Sequence, residues 1–273
     1  MMRARDLIQS AAARLTASGS PDPEADAMWL LSDALRVHRG ALALRLEDEV
    51  EGDALEWFRQ ALSRRESGEP LQYVEGFAYF YGRRFLVDGR VLIPRPDTET
   101  LCEVALDRLK PGMRALDLCT GSGVLAIIMA LSGQGEVTGA DISDDALQVA
   151  RENARLLGAK VEWARGDLFE AVTGSFDLIA CNPPYLTEED MLHLQPEVAR
   201  EPGLALYGGA DGLNFYRRIA KDLPERLNPG GCALFEVGLG QARGVAGLLA
   251  ELGCVDIIKD LSGADRVVLV ERV

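Results

Sequence analysis

The chain has 273 residues, 48% hydrophobic and 26% charged, which is enough apolar material for one large or two modest domains without staples. Its net charge of −14 argues against a large phosphate-binding footprint, and residues 1–85, with 11 Lys and Arg against 14 Asp and Glu, are no basic module either. Five scattered cysteines suggest no disulfide framework, two isolated histidines offer no metal site, and no run of 18 apolar residues occurs, so a cytoplasmic protein is expected, with no membrane contact and no metal.

Residues 1–67 read as a helical bundle. Leu7, Ile8, Ala11 and Leu15 recur at helical spacing; Ser20-Pro21 suits a cap and first-turn proline ahead of Met28, Leu31 and Leu35; and Leu55, Phe58 and Leu62 mark a third helix. From Gly68 aromatic and branched segments at Tyr73-Val74, Phe77–Tyr81 and Arg84–Val87 alternate with glycines, which predicts a β-hairpin linker over residues 68–93. The segment Ile93-Pro94-Arg95-Pro96-Asp97-Thr98-Glu99 then leads into a helix, and Arg95 is either a solvated charge or a ligand contact.

Residues 94–273 alternate strand and helix. The apolar strand Met113–Leu118 includes Asp117 near its end and is followed by Cys119-Thr120-Gly121-Ser122-Gly123 and a nearly all-apolar helix, Val124–Leu131. The next strand, Glu136–Ala140, ends at Asp141, 20 residues after Gly121, where a carboxylate can accept from the two hydroxyls of an adenosine ribose. A third strand near Lys160–Trp163 delivers Asp167, a candidate acceptor for an adenine amino group, and Leu168, an apolar wall for the ring. Glycine spacing of this kind also suits a nicotinamide dinucleotide, but Asp117 serves no purpose there and neither histidine is placed for proton transfer. Further strands at Cys232–Val237, Val255–Ile258 and Val267–Val270 complete a seven-stranded α/β domain, and four glycines between Glu197 and Gly212 suggest a mobile lid or substrate-facing loop.

The fourth strand, Leu178–Cys181, stops at Asn182-Pro183-Pro184-Tyr185. Two prolines end it and hold the preceding residues extended, which aims the Asn182 amide and the Pro183 carbonyl outward from the strand's carboxyl end. Two acceptors side by side match the two hydrogens of a planar –NH2 group, and Tyr185 adds an aromatic face on which that group can stack. Asn182, Pro183 and Tyr185 are therefore the candidate catalytic residues, and Asn182 to Tyr185 the candidate substrate site.

Asn-Pro-Pro-Tyr resembles the signature of amino-group methyltransferases that use S-adenosylmethionine. Together with Gly68-Glu69-Pro70-Leu71-Gln72-Tyr73, the 93–99 segment, the glycine loop and Gly208-Gly209-Ala210-Asp211-Gly212-Leu213, it resembles the peptide-chain release factor glutamine N5-methyltransferases across nearly the whole chain. The resemblance implies a Rossmann-like class I methyltransferase domain whose last two strands form an antiparallel edge. It implies S-adenosyl-L-methionine as cofactor, with S-adenosyl-L-homocysteine as product. Class I release factors are the implied protein partners, modified on the glutamine of their Gly-Gly-Gln motif. Carried over by position, Asp117, Cys119, Thr120, Gly121, Ser122, Gly123, Asp141, Asp167, Leu168 and Asn182 line the cofactor site. Three departures stand out: Cys119 where the family has glycine, Asp97 where it has glutamate, and Leu168 where an aromatic ring is common. An adenine-N6 methyltransferase of DNA or RNA shares the tetrapeptide but calls for a basic groove, so direct nucleic-acid binding is not expected. A non-catalytic cofactor-binding module is the third alternative. A monomer is expected, with the helical bundle as the substrate-recognition part.

Overall fold

Leu7, Ala11 and Leu15 line one face of α1 (Ala4–Ser18) and meet Leu30 and Leu31 of α2 (Pro23–Ala34) and Phe58 and Leu62 of α3 (Gly52–Glu66), forming a core of their own. A short antiparallel pair, β1 (Met2–Arg3) with β2 (Glu49–Val50), flanks them. The structure, a computed structural model, describes residues 2–273, the side chain of Ala171 excepted. α2 starts at Pro23 with Asp22 at its cap, not at Ser20-Pro21. Ser20 is engaged elsewhere, donating its hydroxyl to the buried Asp26 at 2.6 Å, because a carboxylate out of water needs every donor it can reach. Asp26 also accepts from Arg65 Nε at 2.7 Å. Met28, expected inside, is 39% exposed, since the buried stripe of α2 runs through Ala27, Leu30 and Leu31.

Tyr73-Val74, expected in a strand, lies in α4 (Leu71–Glu75), where Leu71 and Val74 close the same core. This first unit therefore extends past residue 67, through residues 2–77, and it takes in Gln195–Arg200 as well. Within it, Arg65 donates to Glu197, and Arg200 donates to the Ser67 carbonyl at 2.7 Å.

The second unit, Ala78–Leu194 with Glu201–Val273, opens inside a hairpin of β3 (Phe77–Phe80) and β4 (Arg83–Leu86). Tyr81 and Gly82 both adopt positive φ, 50° and 69°, the two-residue turn that suits the right-handed twist of the flanking strands. Phe80 and Phe85 pack edge to face at 6.2 Å and enter the core against α5 (Thr98–Arg108) and α6 (Val124–Leu131).

The sheet contains β5 (Met113–Leu118), β6 (Gly135–Asp141), β7 (Glu162–Arg165), β8 (Phe176–Cys181), β9 (Leu227–Glu236), β10 (Gly253–Lys259) and β11 (Asp265–Arg272), in the spatial order β10-β11-β9-β8-β5-β6-β7. β11 runs antiparallel to both β9 and β10, and the other neighbours are parallel, as the expected architecture requires. Helices α7 (Asp144–Leu157), α8 (Glu188–Leu192), α9 (Asn214–Arg226) and α10 (Ala242–Leu249) complete the unit. One core layer lies on each face of the sheet, which is why Ala115-Leu116 and Leu178-Ile179-Ala180-Cys181 are apolar without alternation, successive residues entering opposite layers. The chain leaves β5 to one side for β6 and returns on the other side as β8, and the crevice at that switch point is where such sheets bind ligands.

Candidate active site

Along the carboxyl ends of β5, β6, β7 and β8 lies a cavity of about 350 Å³, lined only by residues of the second unit. Its volume falls in the range of small-molecule sites. Asp117, Cys119, Thr120, Gly121, Ser122, Asp141, Asp167, Leu168, Asn182 and Pro184 all line it. Gly123, Pro183 and Tyr185 do not. Gly123 stands behind the loop at φ 84°, where a Cβ would come within 3.0 Å of Ala150 and Trp163, so its smallness serves packing.

The glycine loop is organised by two carboxylates. Asp117 is buried and accepts from the Thr120 hydroxyl and, at 3.0 Å, from the Ala126 N–H in the first turn of α6, capping that helix from the strand. Its Oδ1 has no partner among the described residues, and burial pushes the carboxyl up to about 7. Asp141 accepts from the Gly121 N–H and the Ser143 N–H, both at 2.9 Å. Burial raises it too, against the pull of those backbone donors. Each Asp141 oxygen is fixed by one N–H and still has a lone pair to offer a hydroxyl.

Two wall residues hold left-handed backbone without being glycine: Cys119 at φ 62° and Leu168 at φ 53°. Such strain collects at functional sites and costs of order 1–3 kcal/mol each. The resemblance puts a glycine at the position of Cys119, and a positive φ there is what favours glycine.

Asp167 lines the cavity as expected and has, in addition, a partner within the chain. Its Oδ2 accepts from Arg218 Nη2 at 2.8 Å, so the carboxylate is paired within the chain. Arg218 and Phe215, from the first turns of α9, line the same cavity with Ile142. Motif reading missed them because they belong to no motif; the signal available was their i, i+3 spacing, which puts both on one face of a helix. Arg95 also lines the cavity and pairs with the buried Glu201, whose Oε2 accepts from the Ile93 N–H at 2.9 Å.

After β8 the Asn-Pro-Pro-Tyr stretch leaves regular structure. Asn182 is half-buried and donates its Nδ2 to the Thr98 hydroxyl at 3.3 Å. Pro183 and Pro184 are buried, and the half-buried Tyr185 ring packs on the second core layer, where burial pushes its phenol up to about 12. The glycines of 208–212, expected in a mobile lid or a substrate-facing loop, pack backbone to backbone. A Cβ on Gly208 would meet the Pro184 carbonyl and the Tyr185 Cα at 2.7 Å, and one on Gly212 would strike the Tyr185 carbonyl. Leu186 N–H donates to the Leu206 carbonyl at 2.9 Å and Gly208 N–H to the Leu186 carbonyl at 2.8 Å, which fastens the two segments together. Pro202, Leu204 and Ala205, nearer the start of that loop, do face the cavity.

Residues 6–76 match the PrmC N-terminal domain family, and residues 97–201 the methyltransferase small domain family. The release factor glutamine methyltransferase of Deinococcus radiodurans is 41% identical over 99% of both chains, that of Cereibacter sphaeroides 42% over 98% of both, and that of Bacillus cereus 35% over 99% of both. The chain belongs to the release factor glutamine methyltransferase family. Among solved structures, a methyltransferase from Pyrococcus furiosus superposes with a TM-score of 0.55 at 20% identity, covering 70% of this chain and 90% of that one. The ribosomal protein L11 methylase of Lactobacillus delbrueckii does so at 0.51 and 25%, covering 68% and 83%. Both likenesses fall short of the full chain, in keeping with a shared methyltransferase fold and a family-specific remainder.

Proposed function

We propose that this family member transfers a methyl group from S-adenosyl-L-methionine to the side-chain amide nitrogen, N5, of the glutamine in the Gly-Gly-Gln motif of class I peptide-chain release factors. The observation that carries the reading is the placement of Asn182 and Pro184 on the same cavity wall as Asp117, the glycine loop and Asp141. The residues present fit the cofactor. Asp141 keeps acceptor capacity for ribose hydroxyls, the orphaned Asp117 Oδ1 suits an ammonium group, and Ile142, Leu168 and Phe215 supply apolar surface for a flat ring. With the adenine amino acceptor at Asp167 already paired to Arg218, that carboxylate acts through its remaining lone pairs.

When bound, the cofactor supplies an electrophilic methyl carbon. An amide nitrogen is a weak nucleophile because its lone pair is conjugated with the carbonyl, so the chain must hold it in a reactive geometry. The Asn182 side-chain oxygen and the Pro183 carbonyl accept its two N–H groups, orient the lone pair, and stabilise positive charge that develops on nitrogen. The stacking face for the amide plane is assigned to Tyr185, although its ring packs on the second core layer and does not line the cavity. Cofactor contacts come from Asp117, Cys119 to Ser122, Asp141, Asp167 and Leu168, and Gly123 acts by packing alone.

The relatives' names favour a release factor over an adenine base, and so does the net charge of −14. A cytoplasmic setting goes with a substrate of the translation machinery, and no helix among the described residues is long and apolar enough to cross a membrane. One chain carries the whole cavity, which supports action as a monomer. Mass spectrometry after incubation with isotopically labelled S-adenosylmethionine tests the reading. A single labelled methyl on the motif glutamine of an intact release factor is expected, and labelled adenine in DNA or RNA with an unmodified release factor would reject it.

A further inference from the structure

An asparagine side chain can present either end to a ligand, and only one end, the oxygen, can accept from a substrate –NH2 group. Something must fix its sense. β8 and β9 are parallel with Cys181 opposite Phe235, which brings the next residues, Asn182 and Glu236, side by side at the carboxyl edge of the sheet. Glu236 is 1% exposed, and neither carboxylate oxygen has an aligned donor among the described residues. Burial pushes its carboxyl up to about 7, and the Thr98 hydroxyl and the Asn182 amide stand close enough to pull that value back down. Thr98, 3% exposed at the start of α5, accepts from Asn182 Nδ2, which leaves its own proton free for a carboxylate. The strand end is held in place by the Tyr216 hydroxyl, which donates to the Glu236 carbonyl at 2.6 Å. Arg266, nearby, is paired to Asp97 and Asp260.

We infer that Glu236, with Thr98, is a positioning residue that holds the –NH2 end of Asn182 and so turns its carbamoyl oxygen toward the substrate nitrogen. In its ionised form Glu236 only accepts, so it admits one sense of the Asn182 amide and rejects the other. An unpaired buried carboxylate opposes folding, and its position beside the reacting group is explained by this task. The inference rests on the role given to Asn182 above.

The test uses the full chain, an intact class I release factor and labelled S-adenosylmethionine. Glu236→Leu keeps the bulk and removes both acceptors. It should lower turnover roughly 10- to 100-fold, the scale of a misplaced catalytic group, while affinity for S-adenosylhomocysteine and thermal stability stay at or above wild type. Glu236→Gln retains one acceptor and should recover most of the lost turnover. In an Asn182→Ala background Glu236→Leu should add less than about a twofold further loss, because groups acting through one another are not additive. Wild-type turnover in Glu236→Leu, no recovery in Glu236→Gln, or a full further loss in the Asn182→Ala background would each overturn the inference. If Glu236→Leu does not fold, Thr98→Val is read by the same double-variant comparison. Should Asn182→Ala alone keep wild-type turnover, the role of Asn182 fails and this inference with it, whereas loss in Asn182→Ala with none in Glu236→Leu rejects only Glu236.

Discussion

At Asp141 two backbone N–H groups hold a half-buried carboxylate that still has lone pairs for a ribose. Asp141→Ala should weaken S-adenosylhomocysteine binding by about 1.5–3 kcal/mol, the range for hydrogen bonds to a charged group, and calorimetry giving unchanged affinity would remove the ribose role. Asn182→Ala should cut turnover roughly 10²–10³-fold, as loss of one preorganised partner does elsewhere, with cofactor affinity nearly kept; single-turnover kinetics on a release factor checks this. Asp117 sets a pH dependence. Its carboxyl is pushed up to about 7 in the folded chain, against about 3.9 when unfolded, so the folded state binds the proton more tightly. The stability this contributes is complete below about pH 4 and is lost as pH rises toward 7. Asp117→Asn carries no such titration, and between pH 5 and 8 it should gain on the wild type by on the order of 2 kcal/mol in denaturant unfolding. Parallel curves for the two chains at both pH values would reject the assignment.

At the scale of elements, the 208–212 loop and the Asn-Pro-Pro-Tyr segment form one packed unit whose closeness depends on missing side chains. Gly208→Ala places a methyl 2.7 Å from backbone atoms of Pro184 and Tyr185, which have no flexible end to yield. It should cost about 1–3 kcal/mol of stability, the usual scale for overpacking, and turnover should fall more than S-adenosylhomocysteine affinity does. Thermal unfolding beside a turnover assay decides, and equal losses in binding and turnover would place the damage at the cofactor rather than at the amide-holding segment. Glycine-rich composition reads as mobility when nothing is known of the neighbours. Here the glycines admit a neighbouring backbone, and that neighbour comes from a segment more than a turn's length away in the chain.

For the whole molecule, every residue lining the cavity belongs to the second unit, whereas the first unit has a separate core and no share in that cavity. A pocket for one glutamine side chain cannot by itself select a protein, and the test is whether the first unit does so. A chain beginning at Ala78 should therefore bind S-adenosylhomocysteine with affinity near that of the full chain. It should methylate an intact release factor far more slowly, with the two chains similar on a short Gly-Gly-Gln peptide. Equal rates on the intact factor would move recognition to the second unit.

Local chemistry alone determined much of this protein. The end of strand β8 was legible because a run buried on both faces, Leu178 to Cys181, is apolar throughout, and the glycine loop, Asp141 and Asn182-Pro183-Pro184-Tyr185 were legible because positive φ, a carboxylate after a strand and paired prolines each leave a residue-type signature. Tertiary structure decided what depends on partners distant in the chain. Ser20 caps no helix because Asp26 and Arg65 claim it, Tyr73-Val74 is helical because the first unit's core needs Leu71 and Val74, and Asp167 is paired because α9 brings Arg218 across. Glu236 is the clearest instance: in the sequence it is an acid at the end of an apolar strand, and only the parallel pairing of β8 with β9 sets it beside Asn182, because register along a sheet is a relation between two strands that neither one encodes alone.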